Sequence, residues 1–110
     1  MRYRPITRNK EFSRAYSRGK SYVHPKLVMY VIKNRVGHTR VGLTATKKVG
    51  CAVERNRARR VIRAALYNVL PYDVGSVDLV FVARGQTTRC KSGEVEEAAR
   101  QLLEKAGILS

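Results

Sequence analysis

The chain predicts a single α+β domain spanning residues 1–110, a two-layer sandwich in which helices pack on a four-stranded sheet in the order αβββαβα. Three observations carry that expectation. Two segments, 54–69 and 92–107, repeat apolar residues with the 3.6-residue period of a helix that buries one face. Between and before them lie short runs rich in Val, Ile, Tyr and Met, bounded by turn residues, as strands are. Finally, 110 residues with 44% hydrophobic content suit one core, and no Pro/Gly/Ser-rich linker, internal repeat or low-complexity tract divides them.

Each element follows from its residues. From about Arg8 to Arg18, Phe12, Ala15 and Tyr16 keep helical spacing; Thr7 or Asn9 is placed to cap the start, and Gly19 to end the helix in a left-handed conformation. Ser21 to His24 and Lys26 to Lys33 read as strands, and the turn-forming Gly37 separates them from Arg40 to Thr46. There Val41, Leu43 and Ala45 alternate with Arg40, Gly42, Thr44 and Thr46. The long basic helix stops before Pro71, Asp73 to Gly75 make a turn, and Val77 to Ala83 supply a buried strand. In the last helix Ser92 stands at the cap position. Val95, Ala98, Ala99, Leu102, Leu103 and Ala106 form its stripe, and Gly107 ends it.

Charge is distributed unevenly. The formal net charge is +15, yet residues 1–63 hold 18 of the 23 Lys and Arg against only Glu11 and Glu54, which gives +16. Residues 64–110 carry five bases and six acids and sum to −1. A polyanionic partner is the expectation, with its contact surface in the first part of the chain. No run of 18 apolar residues occurs, no signal-peptide core follows Met1, and no helix joins a basic face to large exposed apolar residues. Nucleic acid in the cytoplasm is therefore expected, not a membrane.

The basic surface is concentrated between Lys47 and Arg63, where seven cationic side chains face one acid, Glu54. With a helix from about Glu54, Ala58, Val61, Ile62, Ala65, Leu66 and Val69 make one apolar stripe. Asn56, Arg59, Arg60 and Arg63 recur on roughly the opposite side, flanked by Arg55 and Arg57. A merely solvated face would interleave Glu with Lys or Arg to gain i, i+4 pairs, and this one does not.

The run Val41-Gly42-Leu43-Thr44-Ala45-Thr46-Lys47-Lys48-Val49-Gly50, continued by Ala52 to Arg63 with its Arg55-Asn56-Arg57, a basic pair, an aliphatic pair and Arg63, closely resembles the bacterial ribonuclease P protein component. Glu11-Phe12, Tyr16, Tyr30 and Val82-Ala83-Arg84 fall where that family has similar residues, so the resemblance covers roughly residues 8–105, weakly after Arg84. It implies a subunit that binds a large catalytic RNA. In that family the RNA, with its magnesium ions, hydrolyses a phosphodiester of precursor tRNA to free the mature 5′ end; the protein itself is not the catalyst. It also implies a left-handed βαβ crossover around the signature helix, an exception to the usual hand. No obligate protein partner is expected.

Under the resemblance, Arg55, Arg57, Arg59, Arg60 and Arg63 grip RNA phosphates bidentately, as planar guanidinium groups do better than ammonium. Lys47 and Lys48 add point charges beside the RNA, or serve solubility alone. Asn56 either fixes the arginines or helps to hold a hydrated metal; by position alone it reads as a helix N-terminal cap. Phe12, Tyr16 and Tyr30 line a groove for the 5′ leader under the resemblance, with bases stacked on their rings. By pattern alone Phe12 and Tyr16 are core residues that pin the first helix to the sheet. Tyr16 stands where Phe is common in the family, which keeps a stacking face and adds a polar tip.

The remaining chemistry-bearing residues suggest no catalytic site. Cys51 and Cys90 lack metal-ligand spacing and are expected as reduced thiols with no assigned role, and His24 and His38 sit in turn settings. A self-sufficient ribonuclease needs an acid and base, or clustered carboxylates, about the scissile phosphate, and the candidates are poor. A non-catalytic RNA-binding module such as a small ribosomal protein shares the charge and size, and only the Arg55-Asn56-Arg57 context separates it from the subunit reading.

Overall fold

The structure, a computed structural model, describes residues 4–6, 8–69, 75–85, 87 and 91–108; the side chains of Lys47 and Ser92 lie outside that description. The elements run β1 (Arg4–Pro5), α1 (Asn9–Arg18), β2 (Lys20–His24), β3 (Leu27–Lys33), β4 (Arg40–Ala45), a 3-10 turn at Lys47–Val49, α2 (Ala52–Val69), β5 (Val77–Ala83) and α3 (Ser92–Lys105). The expected order is present, with one short strand added.

The strands form one mixed five-stranded sheet in the order β1-β4-β5-β3-β2. β2, β3 and β5 pair antiparallel, whereas β4 lies parallel to both β5 and β1. β4 and β5 are thus adjacent parallel strands joined through α2, a βαβ unit. The fifth strand departs from the four expected. Two residues are too few to show a period, and Pro5, which has no N–H, suits the sheet edge it occupies. What holds the strand is Ile6, which is buried and donates its N–H to the Val41 carbonyl at 2.9 Å.

Alternation along the strands gives the sheet two apolar faces, and both are used. Leu27, Met29, Val41, Leu79, Phe81 and Ala83 face α2 and α3, which supply Ala58, Ile62, Leu66, Val95, Leu102 and Leu103 to the larger core. The opposite face carries Val80 with Tyr30, Ile32 and Val82, and there α1 seats Ala15 and Phe12, with Ile6 beside them. The first helix is therefore not in the layer of the other two; it adds a partial layer behind the sheet. A sequence stripe shows that a helix has a buried side, but not which face of the sheet receives it.

Helix ends also differ from expectation. α1 starts at Asn9 with Arg8 at the cap position and no side-chain cap bond, and Thr7 lies outside the described residues. Gly19 is extended at φ −77°, not left-handed, and donates its N–H to Ala15 O at 2.9 Å. In α3, Ser92 is already helical and Lys91 takes the cap position. Gly107 meets its expectation: it has φ +75°, and Ile108 N–H closes on Leu103 O. The turn expected from Asp73 falls mostly outside the described residues.

Candidate nucleic-acid interface

The basic helix is aimed by the turn that precedes it. After β4 the chain makes the 3-10 turn, buries Val49 in the larger core and passes through Gly50 at φ +140°, a conformation that favours glycine. A Cβ at this glycine would stand 2.6 Å from Glu54 Oε2. The carboxylate of Glu54 therefore folds back over the start of α2, where Cys51 Sγ lies 3.6 Å from Oε1 and the helix dipole favours negative charge. The one acid of the segment is turned toward the helix mouth, and α2 begins at Ala52, two residues earlier than its stripe suggests.

From there the wheel holds. Ala58, Ile62, Ala65, Leu66 and Val69 are buried and Val61 packs against them. On the other side Asn56, Arg59, Arg60 and Arg63 line a shallow groove of about 480 Å³. Arg57 is exposed and Arg55 half-buried, while Lys48 projects from the turn. Among the described residues, none of the five arginines takes part in an ion pair. Asn56 lies inside α2, not at its cap, and its Oδ1 accepts a hydrogen bond from Arg59 Nη2. That bond orients a guanidinium. The amide oxygen is thereby engaged with a cation through one of its two lone pairs.

The three aromatic residues do meet, on the α1 side of the sheet. The Tyr16 and Tyr30 rings are 5.0 Å apart edge to face, and Phe12 is 6.5 Å from Tyr16. They are not equivalent. Half-buried Phe12 sets one ring edge against Gly42, where a Cβ would come within 2.7 Å of it, and like Tyr30 packs against the smaller core. Tyr16 is 42% exposed, and its hydroxyl hydrogen-bonds the Thr44 side chain; partial burial raises its pKa above the usual 10.0, against the lowering effect of that bond. Beyond them the register places Thr44, Val82, Val28 and Val23 in one row across four strands, and none of these is buried. The result is an open apolar floor bordered by two tyrosine rings. Through Thr44 it reaches the end of β4 from which the basic helix departs, although helix and floor lie on opposite faces of the sheet.

A polar cluster that sequence reasoning missed stands at the other end of β4. Arg40 donates from Nε and Nη2 to the two carboxylate oxygens of Asp78 at 2.8 and 2.7 Å, and from Nη1 to Glu11. Asn34 donates to Asp78 Oδ1 at 2.7 Å and to the His38 carbonyl at 3.1 Å. Asp78 is buried, and its hydrogen bond is the main cause that raises the Arg40 pKa. The cluster ties α1 to the two central parallel strands. Only the pairing of Arg40 with Asp78 across β4 and β5 reveals it.

The histidines serve turns: His24 Nδ1 accepts the Lys26 N–H at 3.1 Å, and His38 closes the loop around Asn34. Cys51 is an exposed free thiol, and Cys90 lies outside the described residues. No described helix is long and apolar enough to cross a membrane.

Comparison with known proteins agrees with this geometry. The model of the family described as Ribonuclease P matches residues 1–107. The chain is 42% identical over 109 residues to the ribonuclease P protein component of Clostridium botulinum (strain Loch Maree / Type A3), covering 98% of both chains. It is similar to the solved RNase P protein of Staphylococcus aureus, with TM-score 0.83, 27% identity and 96% and 97% of the two chains covered. The RNase P protein of Thermotoga maritima, 23% identical with TM-score 0.78 over 92% and 96% of the chains, shares the fold.

Proposed function

The chain belongs to the ribonuclease P protein family, and from that premise we propose that it holds the enzyme's RNA through the arginine face of α2 and the 5′ leader of precursor tRNA along the tyrosine-bordered floor. It is a component of an endoribonuclease that acts with an RNA partner in tRNA 5′ processing. One observation supports the first contact above all: among the described residues the five arginines of an otherwise well-packed helix have no ion-pair partner, while the nearest acid is turned to the helix mouth. Guanidinium groups left in this way carry a stored demand for phosphate oxygens.

On this reading hydrolysis belongs to the RNA subunit, whose magnesium ions would supply the activated water and charge stabilisation, and no residue of this chain is assigned to hold them. The protein's part is positional. α2, with Lys47 and Lys48 beside its mouth, neutralises backbone charge; Asn56 keeps Arg59 aimed. Tyr16 and Tyr30 offer ring faces to unpaired leader bases, and Phe12 holds α1 against the sheet so that those faces stay open. A cytoplasmic location fits such partners.

Reconstitution tests the proposal. The purified chain alone should not cleave precursor tRNA, and the chain with its ribonuclease P RNA should do so at low magnesium; robust cleavage by RNA-free protein would overturn the division of labour. In the reconstituted complex, Tyr16→Ala or Tyr30→Ala should lower affinity for leader-bearing precursor by roughly 1–3 kcal/mol per lost stack while mature tRNA binds as before. Phe12→Ala should instead lower the melting point of the free protein, as a large-to-small core change does.

A further inference from the structure

The arginine groove does not end at Arg63. Arg60 and Arg63 also wall a second, mostly apolar depression of about 500 Å³, completed by Ala64, Tyr67 and Asn68 one turn further along α2. Tyr67 is 54% exposed and stands on the side of α2 away from the buried Ala58, Ile62, Ala65, Leu66 and Val69. We propose that Tyr67 is a stacking platform for an unpaired base of the RNA whose phosphates the arginine row holds. The inference rests on the RNA-binding reading of α2.

Three features of the surface select this occupant. The two depressions share the same pair of guanidinium groups, so a strand whose phosphates engage the row brings its next base over the ring without a change of direction. Their linings differ as a nucleotide's parts differ: arginines and an amide in one, a tyrosine ring and an alanine methyl in the other. At the far edge Asn68 Nδ2 donates to Glu96 Oε2 at 3.3 Å, which places a carboxylate there. Glu96 is itself paired with Arg100 Nη2 at 3.5 Å, so among the described residues this edge offers phosphate no unpaired cation; the backbone is held at the arginines and the uncharged base lies on Tyr67. An aromatic face takes any base, and the aliphatic stems of Arg60 and Arg63 extend the apolar contact.

The test is binding of the ribonuclease P RNA from the organism that encodes the chain, measured over a range of salt for wild type, Tyr67→Ala, Tyr67→Leu, Tyr67→Phe and Arg59→Ala. Tyr67→Ala and Tyr67→Leu should weaken binding by about 5- to 150-fold, the range of one lost stack, with an unchanged slope of log K against log salt. Tyr67→Phe should keep wild-type affinity, and a thermal melt of each variant, read beside its binding, separates a lost base contact from lost packing. Wild-type affinity of Tyr67→Ala overturns the proposal. So does a Tyr67→Phe protein as weak as Tyr67→Ala, which would mean a hydroxyl contact, or a lowered melting point that accounts for the loss, which would mean packing. If Arg59→Ala also changes neither affinity nor slope, the RNA-binding reading of α2 fails and takes this inference with it. If Arg59→Ala does both while Tyr67→Ala does neither, stacking alone fails.

Discussion

Arg40 and Arg59 are the same side chain in opposite circumstances. Arg40 is enclosed by Asp78 and Glu11, with three nitrogens donating to carboxylate oxygens, and binds α1 to β4 and β5. Arg59 has an amide for a neighbour and a row of other arginines around a groove. The difference lies in where the acids are. Residues 1–63 have two, Glu11 and Glu54; one closes on Arg40 and the other folds back over Gly50. An arginine supplied with carboxylates becomes part of the framework, and one denied them is left, on the proposed reading, for phosphate. High net charge alone would not distinguish the two.

The comparison is most directly broken by Asp78→Ala. The substitution strips a buried partner from Arg40 and from the Asn34 amide together, and should cost up to about 3–5 kcal/mol, the range for removing one partner of a buried pair, lessened by the Glu11 carboxylate that Arg40 keeps. A thermal melt would read this as a large fall, while the salt slope of RNA binding stays that of wild type. Arg59→Ala should do the converse. Stability should move by no more than about 0.5 kcal/mol, as exposed sites do, and RNA affinity should fall. Its log–log salt slope should flatten by about 0.7 to 0.9, one phosphate contact. An unchanged slope in both Arg59→Ala and Arg60→Ala would make the row an ordinary solvated face.

Smaller effects sharpen the contrast. Arg60→Lys keeps the charge and loses the planar fork, so it should keep the wild-type slope yet bind more weakly, falling between wild type and Arg60→Ala in a direct titration. Smaller still is the response of Tyr16, which lies between framework and display. Its raised pKa means that the fold favours the neutral phenol. That contribution is complete below the ordinary value of 10.0 and is lost as pH climbs through the raised folded value. Tyr16→Phe should therefore melt with less alkaline loss than wild type, and equal alkaline loss in the two proteins would show that burial at Tyr16 has no weight.

Both faces of α2 were legible in advance because a helix is a local object: a 3.6-residue period and a missing set of acids are properties of consecutive residues. Ala58, Ile62, Ala65, Leu66 and Val69 are buried, and Arg59, Arg60 and Arg63 line a groove as the wheel requires. Val77 to Ala83 was legible for the same reason, an apolar run broken only by Asp78 that the sheet buries at its centre. The aromatic trio was readable as a group from one helical turn and one strand, but not the division within it. Phe12 sinks because Gly42, on a distant strand, leaves room beneath it, and Tyr16 remains at the rim.

By itself, then, the sequence determined the order of elements, the charge asymmetry, the two faces of the basic helix and the family signature, all written in neighbouring residues. Tertiary structure alone decided that α1 lies across the sheet from α2 and α3, that Arg4–Pro5 adds an edge strand, and that Arg40 meets Asp78 and Glu11. It also decided that Arg60 and Arg63 share their walls with Tyr67. The physical reason is range. Periodicity fixes which side of an element is apolar, whereas the partner of a side chain 38 positions away depends on strand register, which exists only once the chain has closed on itself.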